Sequence, residues 1–305
     1  MRDPIDLYEL RPDPPELDAP VMLVSLDGFI DAGAAARQAV TTLFETFEAE
    51  EVATFDIDRL LDYRSRRPTM TFVENRWDDY TAPTLALYRM RDSEGTSFLL
   101  LSGLEPDREW EAFIVAVRSL IERFSVRLTV GFYGVPMAVP HTRPATVTTH
   151  ATRPELIPGH TPWIGRIQVP GHAASLLEYR LGQSGHDVVG YAVHVPSYLA
   201  QSEYPHAAVA ALRYVAERTG LVLPTDTLLE QARETDAEIE QQVAASEEIQ
   251  RVVRSLEQQY DDFMTAREGL SGSLASEDGA GLPTAEELGA ELERYLAERD
   301  RGSEG

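Results

Sequence analysis

Two glycines, Gly28 and Gly33, are separated by four residues in the segment VSLDGFIDAGAAARQ, which begins at Val24. This spacing after an apolar run is the frame of a phosphate-binding loop, in which a Lys and a Ser or Thr complete the site. Alanines stand where those two residues belong, and Asp31 lies inside the loop, where its charge would repel phosphate. The segment therefore predicts a strand-to-helix turn in which Asp31 caps the helix, not a phosphate loop.

The same turn keeps a functional alternative, because α/β proteins bind ligands in loops at the C-terminal ends of parallel strands. Asp27, Gly28 and Asp31 are therefore candidate ligand-binding residues. His141 and Arg143 join them from the segment GFYGVPMAVPHTRPATVTTHATRP, which is rich in Pro, His and Arg. The fork of Arg143 suits a carboxylate or a phosphate. A surface loop that binds no ligand is the competing interpretation of this segment.

The sequence shows no complete catalytic constellation. It contains no Cys, and all 27 basic residues are Arg, so thiol nucleophiles, thiolate metal sites and a catalytic Lys are excluded. The histidines around His141 match no compact metal-ligand spacing. We therefore assign no catalytic residue and expect neither a metal nor a cofactor.

The charge balance bounds the partners and the location. The chain has 305 residues with a net charge of −24, and residues 225–305 contain 21 acidic residues against 7 Arg. Such a chain repels nucleic acids. No run approaches the roughly 20 apolar residues that span a bilayer, and the acidic, Pro-rich N-terminal stretch is unlike a targeting peptide. We expect a cytoplasmic protein that binds neither nucleic acid nor membrane.

Strands that alternate with amphipathic helices predict an α/β fold with a mostly parallel sheet covered on both faces. The apolar run before the turn reads as a central strand. The apolar periodicity predicts helices over 32–48, 107–124, 172–183 and 206–217. Strands are predicted over 50–57, 69–73, 84–90, 97–103, 126–132, 145–151, 163–169 and 187–195. The strands over 84–90 and 97–103 are predicted to form a hairpin.

The pattern changes after Pro224. Residues 225–268 are nearly free of Gly and Pro and are spaced for a helical hairpin with its break near residues 244–246. The segment LSGSLASEDGAGLP that follows has the composition of a flexible linker. The predicted organisation is an N-terminal arm (1–17), an α/β/α sandwich domain (18–224), a helical hairpin module (225–268), and a flexible linker with an acidic C-terminal helix (269–305).

Three segments in order, SLDGFIDAGAAARQA, GFYGVPMAVPHTRPATVTTHA and VHVPSYLAQSEYPHAA, resemble the proteasome assembly chaperone 2 family. The resemblance is specifically to actinobacterial members with a helical C-terminal extension, and it covers roughly residues 20–220. It implies a three-layer α/β/α sandwich similar to nucleoside phosphorylases and hydrolases. It also implies a non-catalytic protein-interaction or assembly-chaperone role, with the proteasome or another large complex as partner.

The resemblance leaves a second function open. A phosphorylase-like pocket would suit an enzyme that binds a nucleoside or another small anion through the five candidate residues. Related chaperones work as pairs and phosphorylase-like folds are commonly oligomers, so we also expect a homo-oligomer, either a trimer or a dimer. Apolar residues on more than one stripe of 225–268 need cover from the sandwich or from another subunit.

Overall fold

The computed structural model describes residues 4–13, 17, 20–159 and 165–271. Residues 272–305, which include most of the expected linker and the expected last helix, lie outside these ranges. The strands of the described chain are β1 (Tyr8–Leu10), β2 (Val21–Asp27), β3 (Glu50–Phe55), β4 (Met70–Val73), β5 (Arg76–Tyr80), β6 (Leu85–Arg91), β7 (Ser97–Leu104), β8 (Leu128–Met137), β9 (Val147–Ala151) and β10 (Val188–Pro196). Its α-helices are α1 (Ala35–Thr46), α2 (Ile57–Leu60), α3 (Trp110–Arg123), α4 (Ala173–Gln183), α5 (Pro205–Thr219), α6 (Asp226–Ala244) and α7 (Glu247–Ser271).

Eight of the strands form one mixed sheet in the order β1-β3-β6-β7-β2-β8-β10-β9. β2 lies parallel to both β7 and β8. β6 lies antiparallel to β7 and to β3, and β1 lies antiparallel to β3. The sheet is therefore mixed, not mostly parallel as the alternation predicts. The cause is the short connection between β6 and β7, since a tight hairpin permits only antiparallel pairing.

The α/β/α fold predicted from the sequence is confirmed by this sheet, its flanking helices and the helical C-terminal region. β10 shows the layering most directly, because all nine of its residues are buried. Successive side chains of a strand point to opposite faces of the sheet. Both faces of β10 are therefore covered. None of the helices in the described ranges is long and apolar enough to cross a bilayer.

Contact density divides the chain into two compact units. The first takes its residues from Met1–Phe29, Phe44–Gly131 and Gly171–Val189. Its core joins apolar side chains of β2, β3, β6 and β7 to the apolar faces of α3 and α4. Leu7, inside the expected N-terminal arm, is fully buried in this core, and β1 of the same segment pairs with the sheet.

The second unit takes its residues from Ile30–Leu43, Phe132–Pro170 and Gly190–Gly305. Its helix α5 buries a face rich in Ala, and α6 packs on α5. α6 and α7 are separated only by residues 245 and 246, within the predicted break. Tyr260 of α7 packs on Met137 and Val139. The bounds of the four predicted segments stay a prediction.

Gly134 of β8 lies directly against the turn that precedes α1. A Cβ atom at this position would overlap the carbonyl oxygen of Ala32. The neighbour is backbone, which cannot swing aside as a flexible side chain can. The contact therefore requires glycine and fixes how closely β8 approaches the turn.

We expect Gly134→Ala to destabilise the fold by about 2 kcal/mol, the typical cost of forcing extra volume into a packed site. The measurement is the urea midpoint at unchanged slope. Gly131→Ala, in the same strand, is the matched control, because nothing lies within 4 Å of its added Cβ. A Gly134→Ala protein as stable as the Gly131→Ala protein would contradict the expectation.

Candidate functional site

The turn after β2 holds a guanidinium group. Gly28 has a φ of 153°, and a Cβ built on it would lie 2.6 Å from Nη1 of Arg66. Nη1 of Arg66 donates to the carbonyl oxygen of Glu105 at 2.9 Å, and Nη2 lies 3.1 Å from a carboxylate oxygen of Asp107. The backbone conformation of Gly28 therefore favours glycine, and its close neighbour is the tip of the Arg66 side chain. The carbonyl of Asp27 lies 3.4 Å from the same Nη1.

Glu105 follows β7 and is buried, with 5% of its surface exposed. One of its carboxylate oxygens accepts the N–H of Ala173, the first residue of α4, at 2.6 Å. Its other oxygen lies 3.9 Å from Nη2 of Arg66. The positive end of a helix attracts an anion. In this unit the carboxylate of the protein itself holds that place at α4.

Three backbone N–H groups donate to the carboxylate of Asp31, which lies in the next turn. Its Oδ1 accepts the N–H groups of Ala36 at 2.9 Å and of Gly134 at 3.0 Å. Its Oδ2 accepts the N–H of Arg37 at 3.0 Å. Asp31 thus caps α1, as the sequence predicts. A short 3-10 turn, Ala32–Ala34, lies between Asp31 and the helix, so α1 begins three residues later than expected.

The backbone N–H groups of this turn are also committed. Gly33 donates to the carbonyl of Ala200 at 2.8 Å, and Ala34 donates to the carbonyl of Asp31 at 3.0 Å. The carbonyl of Gly33 in turn accepts the N–H of Tyr204 at 2.9 Å. A phosphate-binding loop needs such groups free to face the ligand. In this turn the groups instead form hydrogen bonds with other residues of the same chain.

His141 and Arg143 contact the helical region and the segment before α5. The backbone N–H of His141 donates to the hydroxyl oxygen of Tyr198 at 2.9 Å, and the ring Nδ1 lies 2.7 Å from the same oxygen. Burial lowers the pKa of His141 and raises the pKa of Tyr198. The imidazole of His141 is therefore biased towards its neutral form.

Arg143 forms the forked carboxylate contact that its residue type suggests, but with α7 of the same chain. Its Nε and Nη2 donate to the two carboxylate oxygens of Asp261 at 2.8 and 2.6 Å. Glu257 lies 3.6 Å from Nη1. The hydrogen bond from Arg143 lowers the pKa of Asp261. Two charge-assisted bonds in this geometry are specific as well as strong.

A polar contact between side chains joins α5 to α6. Nε2 of His206 lies 2.9 Å from both carboxylate oxygens of Asp236. Thr142 adds a hydroxyl bond to Glu257 at 2.6 Å. The helical region is therefore fixed to its unit by paired polar groups as well as by Tyr260.

The structure places the five candidate residues in different units: Asp27 and Gly28 in the first, and Asp31, His141 and Arg143 in the second. Ligand binding by these five residues stays a prediction. Among the described residues, no group of three or more His, Asp or Glu side chains is placed to hold a metal ion. The sequence did not point to Arg66, whose role depends on a contact 39 residues away. The position of Glu105 in the sequence indicates a site residue only weakly, because its one feature is a carboxylate directly after a buried strand.

We expect Asp31→Ala to destabilise the protein by about 2 kcal/mol or more, because it removes a helix cap and leaves the amide of Gly134 without its acceptor. Asp31→Asn keeps one acceptor oxygen and should lose clearly less. Urea unfolding of both variants measures the difference. Equal losses in the two variants would contradict a role based on hydrogen bonds.

Comparison with known proteins gives the family. A sequence profile described as the PAC2 family matches residues 25–243. Among proteins with curated descriptions, no match to this chain was found.

Three solved structures are similar along most of the chain. Rv2714 of Mycobacterium tuberculosis, a protein of unknown function, is 49% identical, with 96% of each chain covered and a TM-score of 0.83. A protein of unknown function from Corynebacterium glutamicum is 39% identical, with 85% of this chain and 98% of that chain covered and a TM-score of 0.80. Rv2125 of Mycobacterium tuberculosis, described as a proteasome-assembly chaperone homologue, is 25% identical, with 76% of this chain and 99% of that chain covered and a TM-score of 0.70.

These matches confirm the resemblance seen in the three sequence segments. The profile covers well over half of the chain, and its relatives share the fold from the first strands to the helical region. The protein belongs to the PAC2 family.

Proposed function

We propose that this protein is a non-catalytic interaction protein with an assembly-chaperone-like role. The observation that carries the proposal is its membership of the PAC2 family, together with its similarity to a proteasome-assembly chaperone homologue over 99% of that chain. The proteasome or another large complex is the candidate partner, and the cytoplasm is the proposed location.

The bonding of the candidate residues supports a non-catalytic role. Asp31 accepts three backbone N–H groups, and Arg143 is forked onto Asp261. A general base or an anion-binding arginine needs a face that is open to the substrate. Groups that are engaged inside the protein stabilise its fold instead. A partner would then be recognised by other residues that are exposed on the surface.

A direct partner of the protein can be identified by affinity capture. With the full chain as bait in its native cells, we expect repeated recovery of the same protein complex, because an assembly factor must bind its client directly. The measurement is quantitative mass spectrometry after mild cross-linking. The control bait is an unrelated protein of similar net charge, which removes partners held by charge alone. Repeated captures with nothing enriched over this control would contradict the proposed role.

The hairpin β4–β5 supports the second part of the proposal, that the protein forms a homo-oligomer, either a trimer or a dimer. Among the strands of the described residues, these two pair only with each other, and every residue in them is exposed. An isolated hairpin is marginally stable in water. Its exposed apolar residues are Met70, Phe72, Val73, Trp77 and Tyr80. Grouped apolar side chains of this kind are typical of an interaction surface.

We expect the full chain to be an oligomer at micromolar concentration and Trp77→Asp to shift it to the monomer, because a charge would be buried at the interface. Trp77 is 64% exposed. Light scattering measures the mass, and circular dichroism checks the fold. The matched control is Tyr179→Asp on α4, at a side chain 60% exposed. A monomeric wild type, or a Trp77→Asp protein that stays oligomeric, would rule out this interface.

A further inference from the structure

An apolar groove lies in the second unit, where α6 ends and α7 begins. Its volume is about 370 Å³. It is bounded by α6, by the first two turns of α7 and by the short turn Ser197–Leu199. The lining residues are Tyr198, Leu199, Ile239, Gln242, Val243, Glu248, Ile249, Val252 and Val253.

Two helical stripes form this groove. Ile239 and Val243 are one turn apart on α6, and Val252 and Val253 each lie one turn after Ile249 on α7. Residues at such spacings share a helix face. Ile239 and Val253 are each only 6% exposed and form the floor. Ile249 and Val252 are 42% and 51% exposed, so the edge of the groove presents apolar surface to the solvent.

The groove carries a negative rim. Glu248 lines it, and Glu238, Glu240 and Glu247, within one turn of lining residues, are exposed. The exposed basic residues within one turn of lining residues are Arg251 and Arg254. Over residues 226–271 the chain has twelve acidic residues and four arginines. The field around the apolar surface is therefore strongly negative.

We propose that this groove binds an amphipathic helix of a partner protein, with apolar residues on the face that enters the groove and Lys or Arg on its flanks. The inference rests on the proposed interaction role and names the chemistry of the partner segment. A helix of this type recognises a groove through apolar anchors one turn apart, which match the two stripes. Its basic flanks pair with the carboxylates of the rim, which set the orientation and raise the association rate.

The carboxylates of the rim disfavour two alternative occupants of the groove, a second copy of the chain and residues 272–305 of the chain itself. A second copy of the chain would bring a net charge of −24 against a rim of carboxylates. Residues 272–305 of the chain itself contain nine acidic residues and three arginines. Both would meet like-charge repulsion at the rim, which is costly when the contact is partly desolvated.

The test measures binding of fluorescent peptides to the full chain by anisotropy. The probe is an 18-residue helix-forming peptide with Leu at helical spacing and Lys on both flanks. One control peptide carries Glu in place of each Lys, and a second has the probe composition in scrambled order. A third peptide has the sequence of residues 284–300 of this chain. We expect the probe to bind at least about tenfold more tightly than every control, and more weakly as salt rises.

Two matched substitutions locate the site. Val252→Asp places a charge at the edge of the groove and should weaken probe binding about tenfold. Val222→Asp changes a side chain of similar exposure, 41%, that does not line the groove, and should leave binding within about twofold. Equal binding of the acidic or scrambled peptide, tighter binding of the 284–300 peptide, or full binding by Val252→Asp would overturn the proposal.

Native capture separates this inference from the proposed function. If a client complex is recovered equally by the wild type and by Val252→Asp, the assembly role stands and the groove is not its docking site. If Val252→Asp loses the client while Val222→Asp keeps it, the groove is the docking site. If the probe binds at the groove but no client is recovered, the groove inference stands and the assembly role fails.

Discussion

The centre of the second unit depends on the hydrogen bonds that the carboxylate of Asp31 accepts. It fixes the start of α1 through Ala36 and Arg37, and it fixes β8 through Gly134. A strand held this close to a turn leaves no room for a side chain, which is why Gly134 faces the carbonyl of Ala32. One carboxylate thus satisfies three amide groups that would otherwise be costly to bury. The helix dipole adds to its stability there.

These hydrogen bonds affect whether the turn between Gly28 and Gly33 can bind an anion. A turn of this spacing becomes an anion site when its amides point outward and a cation stands nearby. Here the amides of Gly33 and Ala34 donate to carbonyls of the chain. In the first unit, Arg66 and Glu105 likewise pair within the protein. The polar groups described at these strand ends are therefore bonded to other groups of the same chain.

The sequence predicted what depends on local pattern. The stripe of α3, the cap at Asp31 and the break between α6 and α7 all follow from spacing along a few turns, and so does the α/β fold. Contacts between distant residues could not be predicted in this way. Arg143 and Asp261 are 118 residues apart, and nothing in either segment selects the other. β5 was also missed, because RWDDY carries two Asp, which are rare in strands. The strand predicted over 163–169 is wrong for its described residues, 165–169, which belong to no strand.

The distribution of charge differs between the two apolar surfaces and agrees with the different partners proposed for them. Residues 64–80, which include the hairpin, contain four arginines and three acidic residues, so this part of an acidic chain is nearly neutral. Two copies that meet there avoid most of the repulsion that the net charge of −24 creates elsewhere. The groove beside Glu248 has the opposite property, since its carboxylates repel a second copy and attract a basic helix. The proposed self-association at the hairpin and the proposed client binding at the groove would therefore not compete, because the charge of the groove disfavours a second copy.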